Sequence, residues 1–207
     1  MGTATAHLCI YDTLADWEVG HATAHINNGQ WHKEPGRYRV ATVGATTDAV
    51  TTMGGVRVVP DVTLDEIDAS STAMFVLPGG DAWLTGANDA FVAKAVALLG
   101  EGVPVAAICG ATGALAAAGV LDERPHTSNA AEFLQAVGYG GSAHYVDEPA
   151  VTDGDLITAS GTSPVEFARE VFARLDLYEP HILAAWYKLY GQNDPAGFYE
   201  LNGMAAP

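Results

Sequence analysis

The sequence is poor in positive charge. Its 207 residues include 9 lysines and arginines against 25 aspartates and glutamates, so the formal net charge at pH 7 is −16. A chain this acidic repels phosphate backbones and anionic lipid surfaces, so we expect neither nucleic acid nor a membrane as a partner. The same charge disfavours polyanionic substrates and leaves a small neutral molecule as the expected substrate.

Cysteine is equally scarce, because the chain contains only Cys9 and Cys109. Two thiols so far apart match neither a zinc motif nor a disulfide framework. The N-terminus lacks the basic and apolar segments of a signal peptide, and no apolar run approaches the roughly 18 residues of a membrane span. These absences predict a cytoplasmic protein with free thiols.

What the chain does contain is an alternation of short apolar runs with helical patterns. Hydrophobic residues make up 49% of the sequence, which is enough for a sizeable core, and the length fits one domain over residues 1–207. The alternation predicts an α/β fold with a mainly parallel central sheet. The predicted strands cover 6–11, 37–44, 73–77, 103–108, 144–146 and 156–159, with a hairpin within 49–60. The first predicted helix begins near residue 16. Further helices are predicted over 88–99, 111–118, 130–137, 163–174 and 180–190.

The most informative segment reads V-P-V-A-A-I-C-G-A-T-G-A-L, residues 103–115. An apolar strand runs directly into Cys109, and small residues then begin a helix, which is the layout of a nucleophile elbow. The positive end of the helix dipole favours a thiolate at this position. The alternative, a structural cysteine at a strand end, is disfavoured by the Gly-Ala-Thr-Gly that follows. Cys9 lies within a strand and is interpreted as core.

A nucleophile of this kind needs hydrogen-bond donors for the oxyanion that it creates. The strand at 73–77 ends in Pro78-Gly79-Gly80. If this strand end is adjacent to Cys109, the backbone amide of Gly110, together with that of Gly79 or Gly80, would supply the donors. An ordinary strand-ending turn is the alternative interpretation of these glycines.

Three segments, in this order along the chain, resemble the ThiJ/PfpI superfamily of class I glutamine amidotransferase-like folds. They are D-W-E at 16–18, F-V-L-P-G-G at 75–80, and A-A-I-C-G-A-T at 106–112 with A-A-G-V-L-D-E-R-P-H-T-S-N at 117–129. The resemblance implies a flavodoxin-like three-layer sandwich, a homodimer and a reactive cysteine at the elbow.

The resemblance also implies partners for the thiol. In this superfamily a glutamate from the helix after the first strand contacts the nucleophile, and Glu18 matches that position; a carboxyl buried there would act as an acid or base. Asp16 is the rival, because isonitrile hydratases of the superfamily use an aspartate in this stretch. His126 falls where several members place an imidazole beside the thiol. The alternatives are a solvated Glu18 in the first helical turn and an ordinary loop histidine.

The sequence departs from the superfamily pattern in two places. PfpI-type proteases carry a histidine immediately after the nucleophile, and Gly110 stands there instead, which puts peptidase activity in doubt. The chain also has no late His-x-Glu pair of the kind that glutaminases use, since its one His-x-Glu, His32-Lys33-Glu34, lies near the N-terminus. His21 and His25 have a metal-chelating spacing, but no third ligand is evident, so we expect neither a metal nor a cofactor.

These features together predict an enzyme that attacks a small neutral electrophile with the Cys109 thiolate. Hydrolase, hydratase and glyoxalase-type chemistries all fit this arrangement of residues. The alternative is a non-enzymatic sensor of oxidative or electrophile stress, or a holdase chaperone, that uses the same thiol.

Overall fold

The computed structural model describes residues 2–204. Its strands are β1 (Ala4–Cys9), β2 (Tyr38–Gly44), β3 (Val50–Thr51), β4 (Arg57–Val58), β5 (Val62–Thr63), β6 (Thr72–Leu77), β7 (Val105–Ile108), β8 (Ala150–Asp153) and β9 (Leu156–Ala159). Its helices are α1 (Asp16–Asn27), α2 (Asp89–Gly100), α3 (Gly110–Ala117), α4 (Ala131–Gln135), α5 (Pro164–Arg174), α6 (Pro180–Tyr190) and α7 (Ala196–Leu201).

The central sheet has seven strands in the order β5-β2-β1-β6-β7-β9-β8. All neighbours are parallel except β8 and β9, which pair antiparallel at one edge. From β1 the chain moves outward through α1 to β2, whereas from β6 it moves the other way through α2 to β7. Right-handed crossovers in opposite directions put their helices on opposite faces of the sheet. The predicted α/β fold of flavodoxin type, with a mainly parallel sheet, is confirmed.

The reversal of strand order falls between β1 and β6. In open parallel sheets, the crevice outside the carboxyl ends of the strands at such a reversal is the usual ligand position. The central strands β6 and β7 are covered on both faces, and residues 74, 75, 77 and 105–108 are all fully buried. Continuous apolar runs such as M-F-V-L therefore make rigid supports for the loops that follow them.

The last part of the sheet differs from the sequence-based prediction. The strand predicted at 144–146 is wrong: Ser142–His144 form a 3₁₀ turn, and Tyr145 makes only a single bridge with His126. The edge strand is β8 instead, joined to β9 by a two-residue turn in which Gly154 has φ +57°. Gly-Asp between two β-rich runs is a typical signal of a two-residue hairpin, which the sequence-based prediction did not include. The short elements β5 and α7 were also not predicted.

Helix α6 packs against α1 through an aromatic cluster. Trp186 is fully buried, and its Nε1 donates a hydrogen bond to Nε2 of His25 at 3.2 Å. The His21 and His25 rings are nearly parallel at 6.4 Å, and Tyr190 packs against both of them. The i, i+4 histidine pair therefore lies in the packing between helices. No helix within residues 2–204 has the length and apolar character needed to cross a bilayer.

Candidate functional site

Cys109 alone forms the turn between β7 and α3. Its φ of 58° and ψ of −124° lie outside the regions that L residues usually adopt. Such a conformation costs about 1–3 kcal/mol and persists only where the surroundings enforce it. Here the Cys109 amide donates to Ala159 O at 3.0 Å, and its carbonyl accepts the amide and hydroxyl of Thr112. The strand and the helix therefore fix the thiol at the carboxyl edge of the sheet.

Glu18 reaches the same edge from the first turn of α1. Its side chain is 0% exposed, and Oε2 accepts the Gly79 amide at 2.5 Å, whereas Oε1 has no hydrogen-bond partner within residues 2–204. Burial raises the pKa of this carboxyl to about 7, although the Gly79 amide and the Cys109 thiol both act to lower it. A carboxyl with this pKa exchanges protons readily at neutral pH.

Two glycines enclose the thiol and this carboxyl. A Cβ on Gly161 would lie 2.7 Å from Cys109 Sγ and 3.0 Å from Glu18 Oε1. A Cβ on Gly79 would lie 2.5 Å from Cys109 Cβ and 2.6 Å from Glu18 Oε2. Because only a hydrogen fits at either position, the sulfur and the carboxyl share one narrow space between the ends of β6 and β9.

The Cys109 thiol is half-buried, and its pKa is raised from the ordinary cysteine value. Burial is the largest cause and the nearby Glu18 carboxyl adds to it, while hydrogen bonds from Asn129 and the Gly110 amide act in the opposite direction. The Gly110 amide at the start of α3 acts in the direction predicted from the helix dipole, but burial and the Glu18 carboxyl oppose it more strongly. The raised pKa favours the thiol over the thiolate, so a neighbouring proton acceptor would assist its ionisation.

Asp16, the rival carboxylate, lies elsewhere. Its Oδ2 accepts the Gly54 amide at 2.7 Å, and hydrogen bonds from Thr52 and Gly54 lower its pKa. The carboxylate is therefore bound to the β3–β4 hairpin rather than to Cys109. Of the two acids in D-W-E, the structure brings only Glu18 to the thiol.

His126 is not brought to the thiol either. Its ring is fully buried, Nδ1 donates to Arg124 O at 2.7 Å, and Nε2 is 3.3 Å from the Tyr139 hydroxyl. Both nitrogens are thus engaged within the segment that joins α3 to β8. The prediction that this imidazole assists the thiol is corrected, because Asn129 occupies that place: its Nδ2 donates to Cys109 Sγ at 3.3 Å.

The predicted oxyanion donors divide into two groups. The Gly79 amide is already bound to Glu18 Oε2, so it is not available as an oxyanion donor. Gly80 and Gly110 lie against each other, since a Cβ on Gly110 would be 2.9 Å from Gly80 O. Among the described residues, neither amide donates to another protein oxygen. These two amides are the remaining candidates for the oxyanion.

We expect Gly161→Ala to close the site. The added methyl group cannot coexist with Sγ and Oε1 in their present positions, so at least one of them must move. The measurement is the alkylation rate of Cys109 by iodoacetamide at pH 7, for which we expect at least a tenfold decrease.

Gly20→Ala on α1 is the matched control for this substitution, because no atom lies within 4 Å of a Cβ at that position. It should leave alkylation unchanged and stabilise the helix by about 0.5–1 kcal/mol. Unchanged alkylation in Gly161→Ala would show that Gly161 does not border the sulfur.

The fold and this arrangement together define a class: flavodoxin-like α/β proteins with a cysteine in the strand-to-helix turn and a carboxyl beside it. The family model described as the DJ-1/PfpI family matches residues 4–174. The chain therefore belongs to the DJ-1/PfpI family. The resemblance to ThiJ/PfpI proteins inferred from the three sequence segments is confirmed.

Individual relatives agree with this membership. The Bacillus subtilis (strain 168) protein named uncharacterized protease YoaZ is 40% identical over 204 residues, which cover 97% of each chain. A ThiJ/PfpI family protein from Bacillus anthracis is 40% identical in sequence. Its crystal structure superimposes on this one with a TM-score of 0.91, and the match covers 98% of each chain. The DJ-1 superfamily protein Atu0886 from Agrobacterium tumefaciens is 30% identical with a TM-score of 0.82, covering 92% of this chain and all of that one.

Proposed function

We propose that this protein is a cysteine-dependent enzyme that acts on a small neutral electrophile. The observation that carries the proposal is the buried Glu18 carboxyl, with a pKa of about 7, beside a Cys109 thiol in a strained turn. A base that is half-ionised at neutral pH next to a protonated thiol is the usual arrangement for generating a nucleophile. Strain and burial of a charged group both cost stability, and such costs are typical of functional sites.

The first chemical step follows from these positions. Ionised Glu18 takes the proton of the Cys109 thiol, and the thiolate forms an S–C bond with the electrophilic carbon. For a carbonyl substrate, the π electron pair moves to oxygen, where the Gly80 and Gly110 amides stabilise the charge. Glu18 then returns the proton to that oxygen. The product is a neutral hemithioacetal, and Glu18 is again ionised.

Small size is supported by the space around the sulfur. Gly79 and Gly161 approach within contact distance, and the exposed Trp17 ring lies above them, with Nε1 donating to Gly161 O at 3.0 Å. A larger apolar cavity of about 890 Å³ lies between α2, α3 and α4, and Cys109 is not among its lining residues. The site over the sulfur therefore suits a compact electrophile better than an extended peptide.

The test is turnover with purified protein on methylglyoxal, simple amides and isonitriles, with a peptide substrate as a further arm. We expect saturable turnover of at least one small electrophile, and a loss of at least 10³-fold in Cys109→Ser, because a serine hydroxyl is a far weaker nucleophile than a thiolate. Mass spectrometry of the quenched reaction should show the adduct on Cys109.

Cys9→Ala is the matched control, because Cys9 is fully buried within β1 and should not contribute. No Cys109-dependent turnover on any substrate, together with rapid conversion of Cys109 to sulfinic acid by peroxide, would contradict the proposal and favour the stress-sensor alternative. Turnover of the peptide alone would contradict the small-substrate assignment.

A further inference from the structure

We propose that Asn129 is a catalytic residue whose side-chain amide stabilises negative charge on Cys109 Sγ and on the substrate atom that the sulfur activates. The inference rests on the proposed function and adds a residue that the sequence motifs did not single out. Asn129 lies in the loop between α3 and α4 and contacts the reacting atom directly, since its Nδ2 is 3.3 Å from Sγ.

The orientation of this amide is fixed from the other side. The Gly161 backbone amide donates to Asn129 Oδ1 at 2.8 Å, which identifies Oδ1 as the acceptor and leaves Nδ2 facing the sulfur. The Gly161 carbonyl in turn accepts Nε1 of Trp17 at 3.0 Å. Asn129, Gly161 and Trp17 thus form a chain of hydrogen bonds from the thiol to the exposed rim of the site.

The hydrogen bond from Asn129 to Sγ changes the relative stability of the thiol and thiolate forms of Cys109. An N–H donor stabilises a thiolate more than a thiol, because hydrogen bonds to ionised acceptors are roughly twice as strong as neutral ones. The Asn129 amide accordingly lowers the pKa of Cys109, in opposition to burial and to Glu18. When Glu18 takes the proton, the amide already points at the atom that becomes charged, so little reorganisation is needed.

The second hydrogen on Nδ2 extends the role to the substrate. Within residues 2–204 that hydrogen has no acceptor, and the Asn129 side chain is exposed at the mouth of the site. A carbonyl oxygen or nitrile nitrogen whose carbon approaches Sγ comes within reach of the same amide. Asn129 is therefore placed to donate to the thiolate before addition and to the developing anion after it.

The test compares Asn129→Asp with the wild type. Aspartate keeps the shape and still accepts the Gly161 amide, but it presents a carboxylate to Sγ instead of a donor. We expect the pH midpoint for iodoacetamide alkylation of Cys109 to rise by at least one pH unit and the alkylation rate at pH 7 to fall about tenfold or more. On a substrate that the protein turns over, kcat should fall at least tenfold while KM changes less than threefold.

Two further variants keep the test decisive. Asn129→Ala should move the alkylation midpoint in the same direction by about one pH unit, and Trp17→Phe, which loses the indole N–H together with part of the ring, by less. Asn202→Ala, at the exposed end of α7, is the matched control and should change nothing. An unaltered midpoint and rate in Asn129→Asp, with native circular dichroism, would overturn the inference.

The alkylation experiment also separates this inference from the proposed function. Iodoacetamide reacts with the thiolate without any turnover, so a raised midpoint in a protein that turns over no substrate supports thiolate stabilisation by Asn129 and contradicts the enzyme proposal. Turnover that requires Cys109 but is unaffected in Asn129→Asp supports the enzyme and overturns the role of Asn129.

Discussion

Glu18→Gln is expected to stabilise the protein at pH 8 by about 3 kcal/mol and to leave its stability near pH 4 almost unchanged. The pKa of Glu18 is about 7 in the folded protein against an ordinary value of 4.5, so the folded state holds this proton more tightly than the unfolded chain. The contribution of Glu18 to the free energy of unfolding is therefore greatest below pH 4.5 and declines as the pH rises towards 7. The decline is about 1.4 kcal/mol for each pH unit between the two pKa values. A neutral glutamine removes this decline.

The measurement is the free energy of unfolding in urea between pH 4.5 and pH 8, for wild type and variant. Glutamine is suited to the site because its Oε1 can still accept the Gly79 amide that now binds the carboxylate. Glu123→Gln at an exposed position is the matched control, for which the two curves should stay parallel. Parallel curves for Glu18→Gln as well would show that the Glu18 carboxyl is ionised in the folded protein at pH 5 and above.

The same substitution is expected to lower kcat/KM by about 10²- to 10⁴-fold, the range that a positioned acid–base group contributes. Glutamine keeps the volume of the side chain and the hydrogen bond to Gly79 but cannot accept the thiol proton. Gain of stability with loss of activity from one change is typical of a group kept for its chemistry at the expense of the fold.

The rate is measured on whichever small electrophile the wild type turns over, across pH 5–9. For the wild type we expect kcat/KM to rise with an inflection near pH 7, as Glu18 loses its proton and becomes the base. A glutamine variant that retains wild-type kcat/KM would remove Glu18 from the mechanism, even if its stability changes as described.

Much of the fold and the centre of the site were predictable because their signals are local. Continuous apolar runs with glycines at their ends specified β6 and β7, and the carboxyl ends of neighbouring parallel strands must lie at one edge of a sheet. Cys109 and Glu18 each lie one turn or less from such a strand end or helix start. Their convergence therefore required only the strand order, which the resemblance to ThiJ/PfpI proteins implied.

The residues that were missed depend on contacts between distant segments. Asn129 and Gly161 meet only because β9 pairs with β7 and brings its following loop to the thiol. An asparagine in Thr-Ser-Asn carries no proton chemistry, and a glycine in Ser-Gly-Thr resembles any loop glycine, so neither attracts attention in one sequence. His126 was misassigned for the same reason, because its partners Arg124 and Tyr139 became evident only in the folded segment.

The pKa of the thiol shows a further limit of sequence reasoning. The helix dipole is a local effect that can be predicted from strand-turn-helix order, and it favours the thiolate. Burial and the neighbouring Glu18 carboxyl are tertiary effects, and together they outweigh it. In the proposed mechanism, Cys109 therefore relies on Glu18 as a proton acceptor rather than on the position of the thiol alone.

The most direct test of this account is the pH dependence of Cys109 alkylation by iodoacetamide, followed by mass spectrometry, in wild type and Glu18→Gln. Coupled ionisation of thiol and carboxyl predicts two steps in the wild type, the first near pH 7 where the pair loses one proton, and the second at higher pH. The glutamine variant should show the upper step alone. A single identical step in both proteins would contradict proton transfer from Cys109 to Glu18, and with it the proposed mechanism.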